Sequence, residues 1–166
     1  MEGFFDLVTA QDLYRKLLHD YERVLADPTD VFAAFDFAVT AWHLLDWWLP
    51  GKKNEVQRAE IRDNAPILLV CELLAVGAKH FVPEVERIKA VGDTERQSVW
   101  AEGTWAPNAW ADRAWRNELV VHLDGEVARE LGDRLTIVEV AKLAMKYWRD
   151  QEPLLLARAP GGELAE

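Results

Sequence analysis

The sequence predicts a mainly α protein: a single-domain bundle of about five helices, with a small β-hairpin just before the C-terminal helix. Three observations carry this expectation. Apolar residues recur at helical spacing through most of the 166 residues. Thr, Asp or Asn stands before these periodic stretches, where a helix needs an N-cap, and Pro or Gly follows several of them. One short stretch alternates instead and runs into Asp124-Gly125, a hairpin turn signal. The helical domain is expected over residues 1–152, with a loop and hairpin inserted at 92–131 and a frayed tail at 153–166.

The first helix begins at Thr9, where Thr9-x-x-Asp12 pairs a capping hydroxyl with a carboxylate at the positive end of the helix dipole. Leu13, Leu17, Tyr21 and Val24 or Leu25 give it one apolar face, and Asp27-Pro28 ends it. Thr29 or Asp30 caps the second helix, Val31 to Trp48, which Pro50-Gly51 stops. Asn54-x-x-Gln57 opens a short polar helix to about Arg62. Asn64 and Pro66 open a fourth, ILLVCELLAVGAKHF, apolar nearly all round. A short charged helix is expected over 83–90. From Gly92 to Trp110 neither period holds, so a long loop is expected, folding back on the body through Trp100, Trp105 and Trp110. In the hairpin, Leu119, Val121 and Leu123 would face inward, with Glu118, Val120 and His122 on the other face. Thr136-x-x-Glu139 is a capping box ahead of the last helix.

Composition narrows the function classes. The formal net charge is −10, which repels phosphate backbones and argues against broad nucleic-acid binding. Cys71 stands alone inside an apolar run, with no zinc-ligand spacing around it, and reads as a small buried hydrophobe. The start MEGFFDLVTAQ lacks the basic and apolar regions of a signal peptide, and the longest apolar runs carry charges. A soluble, cytoplasmic protein without membrane contact is expected. Eight tryptophans point mainly to core, and some to an interface.

The second helix is apolar all the way round except for one polar stripe. At ~3.6 residues per turn, Asp36, Thr40 and His43 line up, with Asp46 beside them. Such a helix is expected to be buried on all sides, and the stripe must then meet partners. If the second and fourth helices pack antiparallel with Leu49 beside Pro66, His43 faces Glu72 and Asp36 faces Lys79. The bland outcome is a satisfied network that fixes register. A functional outcome is a metal site from His43, Asp46, Glu72 and His80, ligand types that suit zinc, iron or manganese. A third is an acid–base pair in a small-molecule pocket, with His43 titrating near neutral pH. His80 and Lys79 also stand near a helix C-terminus, where their charge complements the dipole. His19 reads as a surface residue of the first helix.

The run Arg116-Asn117-Glu118-Leu119-Val120-Val121-His122 resembles the Arg-x(4–6)-His motif of HEPN-domain ribonucleases, helical proteins that often act as toxins in phage defence. The resemblance implies metal-free RNA cleavage. Arg116 would stabilise charge on the phosphate, and His122 would act as acid or base. Read by period alone, the same run is a strand and His122 a cross-strand surface residue.

No phosphate-cradling Gly-rich loop, nucleophile elbow, Cys–His zinc pattern or basic aromatic patch occurs. The expected function is therefore non-catalytic: an interaction or binding protein, self-associating or with a protein partner, and without a cofactor. The alternatives are a ribonuclease using Arg116 and His122, and a metal-dependent enzyme using the stripe on the second and fourth helices.

Overall fold

The structure, a computed structural model, describes residues 5–79, 91–100 and 115–157. The expected class holds: helices dominate, and a small three-stranded antiparallel sheet precedes the last helix.

Helix α1 (Ala10–Ala26) starts at the expected capping box. The Thr9 hydroxyl accepts from the Asp12 N–H at 3.1 Å, and the Asp12 carboxylate accepts from the Thr9 N–H at 2.9 Å. Asp30 caps α2 (Val31–Trp48) by accepting from the Phe32 N–H at 2.8 Å. Gly51, at φ +80°, turns the chain away from α2. A single 3-10 turn (Lys52–Asn54) then leads into α3 (Glu55–Asp63), which buries no residue. Pro66 sits at the start of α4 (Pro66–Lys79), where its missing N–H is not needed. The charged helix expected at 83–90 lies outside the described residues.

Two local expectations are corrected in the sheet. Residues 91–100 are not loop: they form β1 (Val91–Trp100), paired antiparallel with β2 (Trp115–Leu123) from Val91↔Leu123 to Trp100↔Trp115. Asp124-Gly125 is not a two-residue hairpin turn. Asp124 is the N-cap of a short helix, α5 (Gly125–Leu131), and Gly125 supplies a φ of +64°. The returning strand is β3 (Arg134–Thr136), which pairs with Val120–His122 of β2. The sheet order is β1-β2-β3. At the β1 irregularity a Cβ on Gly92 would lie 2.4 Å from the Asp124 carboxylate, so any side chain there forces Asp124 aside.

Helix α6 (Ile137–Leu156) opens on the expected Thr136–Glu139 capping box and runs past the expected end of the domain. Leu155 is fully buried, and its carbonyl accepts from Gln11 Nε2 at 3.2 Å, so 153–156 is not a frayed tail. Burial and the nearby Glu152 carboxylate push the Tyr14 hydroxyl up, and the Arg149 guanidinium lies 5.7 Å from the Tyr21 ring centre, so α1 and α6 close on each other. The core lies between α1, α2, α4 and α6: Leu17, Phe37, Leu44, Leu68, Cys71 and Trp148 are fully buried. Trp148 meets Trp48 edge to face, ring centres 6.1 Å apart.

Candidate functional site

Helix α2 has three environments along its length and around its axis. Its core side holds Phe37, Ala41, Leu44 and Leu45. The side toward α1 carries the upper half of the polar stripe. Thr40 is buried there and donates its hydroxyl to Asp20 of α1 at 2.7 Å. Lys16 donates to both, 2.5 Å from Asp20 and 2.8 Å from Thr40. Asp36 pairs with Arg23 of α1 at 2.6 Å, and Arg23 also reaches Asp20 and Asp30 at 3.9 and 3.8 Å. Asp36 and Thr40 thus turn to α1, whereas the expected pairing of Asp36 with Lys79 rests on a side chain outside the described residues. The sequence reading did not weigh α1, which offers Lys16, Asp20 and Arg23 at helical spacing to the upper stripe. The side chain of Lys79 and all of His80 lie outside the described residues.

The lower half of the stripe is not buried. His43 and Asp46 are 53% and 49% exposed, with His43 Nδ1 3.6 Å from the Asp46 carboxylate. Arg58 of α3 takes the other Asp46 oxygen at 3.3 Å and donates to the carbonyls of Leu49 and Gly51. The His43 ring holds the Asp46 carboxyl below its ordinary range, against partial burial that pushes it up; Arg58 and Arg62 add to the lowering. Glu72 does not meet His43 as expected. It lies 3.7 Å from Arg62 of α3, whose guanidinium stands 5.6 Å from the Trp42 ring centre. Two arginines one turn apart on α3 thus take the carboxylates that the sequence reading grouped with His43: Arg58 takes Asp46 and Arg62 takes Glu72.

The solvent side of α2 is largely apolar. Phe32 is 78% exposed and Phe35 47%, with Val39 and Trp42 half-buried along the same line and Val31 exposed at its upper end. This corrects the expectation that α2 is covered on all sides. Contiguous exposed apolar side chains on an otherwise core-like helix mark a candidate contact surface. Sequence reasoning missed Phe32 and Phe35 because an all-apolar helix gives no clue to which face stays open.

Other candidates are dispersed. Arg116 and His122 both lie on β2, six residues apart, which places their Cα atoms about 20 Å from each other in a strand. Their setting is a strand, not the helix that the HEPN resemblance implies. His122 Nε2 lies 3.1 Å from Glu95 of β1. Among the described residues, no three His, Cys, Asp or Glu side chains gather as metal ligands. Burial pushes the Cys71 thiol up to about 12, so it supplies no thiolate near neutral pH. No helix among the described residues is long and apolar enough to cross a membrane. Comparison with protein-family models, with curated proteins and with solved structures gives no match.

Proposed function

We propose that this chain is a non-catalytic interaction protein that binds through the outer face of α2. One observation carries the reading: Phe32 and Phe35 face water on a helix whose opposite side builds the core. The polar groups nearest this face are already engaged in ion pairs, as Asp36 is with Arg23 and Asp46 with Arg58. Groups committed in this way favour a structural and docking role over acid–base chemistry. The self-association expected from the sequence would use this same face.

The test is a double variant, Phe32→Ser with Phe35→Ser. A neutral apolar dye such as Nile red brightens on the native chain, and the variant loses that signal while melting at the native temperature or above. A dye signal that survives the double variant counts against the face. A variant that unfolds shows instead that the two rings serve the core.

A further inference from the structure

We infer that the outer face of α2 takes a basic amphipathic segment of another protein, its large apolar side chains on Phe32 and Phe35 and its lysines or arginines against the surrounding carboxylates. The inference rests on the docking reading above and adds the chemistry of the occupant.

Two observations select it. The first is charge. Among the described residues about the N-terminal end of α2, Asp27, Asp30 and Asp36 outnumber Arg23 and Arg96, on a chain of net charge −10. Arg23 and Asp36 neutralise each other, and the Arg96 guanidinium donates to the Thr29 carbonyl at 3.2 Å, which leaves Asp27 and Asp30 against one remaining cation. A cationic partner is drawn to this corner, whereas a second copy brings the same carboxylates against themselves. The second is area. Phe32, Phe35 and Val31 expose apolar surface on the order of a few hundred Å², short of the ~800 Å² per partner of a standard interface. That suits a short segment laying one apolar face on a helix, with charges supplying the rim.

The probe is a labelled synthetic helix of leucine and lysine, titrated by fluorescence anisotropy. Its control has the same leucine pattern with glutamate in place of lysine. The lysine peptide is expected to bind the native chain and the glutamate peptide not to. Affinity for the lysine peptide should fall at least tenfold in the Phe32→Ser, Phe35→Ser variant, which keeps every charge. It should be unchanged in Val56→Ser, which removes an exposed apolar residue on α3. Equal binding to the double variant reduces the effect to bulk attraction and overturns the inference. So does equal binding of the glutamate peptide. A dimer in sedimentation velocity that the double variant abolishes, with no peptide binding, assigns the face to a second copy: this inference fails and the docking reading survives. If dye, peptide and sedimentation all ignore the double variant, the docking reading fails with it.

Discussion

Asp20 is nearly inaccessible between α1 and α2, and it is tolerated because Lys16 and Thr40 reach it from both helices. Removing the carboxylate leaves an ammonium and a hydroxyl without their shared acceptor. Asp20→Ala should destabilise the chain by about 3 kcal/mol, the lower end for a broken buried pair because Lys16 is partly solvated. Thr40→Val should cost about 1–2 kcal/mol, and the double variant less than the sum. Urea melts of the three variants decide this; strict additivity would mean that the network is not a unit. Cys71 gives a second residue-scale expectation. A thiol raised to about 12 by full burial should ignore thiol reagents in the native state and react only as fast as the molecule opens. Rapid labelling of the folded chain would contradict the packing around α4.

At the scale of elements, α3 is the least anchored by apolar contact. It buries no residue, and Arg58 ties it to Asp46 and to two carbonyls at the end of α2, while Arg62 ties it to Trp42 and Glu72. Arg58→Ala should therefore raise amide hydrogen exchange across Glu55–Asp63 while α1 and α6 keep their protection. Unchanged exchange there would mean that other contacts hold α3. The helix starts were legible in the sequence because a cap is a local device: Thr9, Asp30 and Thr136 each act within three residues. The sheet was less legible. β1 is an edge strand whose residues from Gly92 to Arg96 are exposed, so it carries no alternation to read. The segment 124–133 shows the same limit. Asp-Gly supplies positive φ to a hairpin turn or to a helix entry alike, and only the pairing of β3 with β2 tells which.

For the whole molecule, acid is the sharpest lever. Asp12 is held low by the Thr9 hydroxyl, Asp46 by the His43 ring and Glu139 by the Thr136 N–H. Each folded value is depressed. The stability each lends is fully present above its ordinary value, 3.8 for both aspartates and 4.5 for Glu139, and is lost as pH falls through the lower folded value. Stability should hold down to about pH 5 and decline below it, and Glu139→Gln should flatten part of that decline in melts taken across the range. A stability that rises on acidification would reverse the sign of all three. The candidate site was half legible at this scale. The sequence singled out α2 and its polar stripe, but which neighbour takes each residue depends on packing among four helices, and a wheel drawn for one helix holds no such information. The contact of α1 with α6, through Gln11 and Leu155, Tyr14 and Glu152, Tyr21 and Arg149, reaches from one end of the described chain to the other. On the ribosome α1 emerges long before its partner. The inner face of α1 must wait, uncovered, until α6 follows, so the nascent chain is most open to chaperones and proteases in that interval.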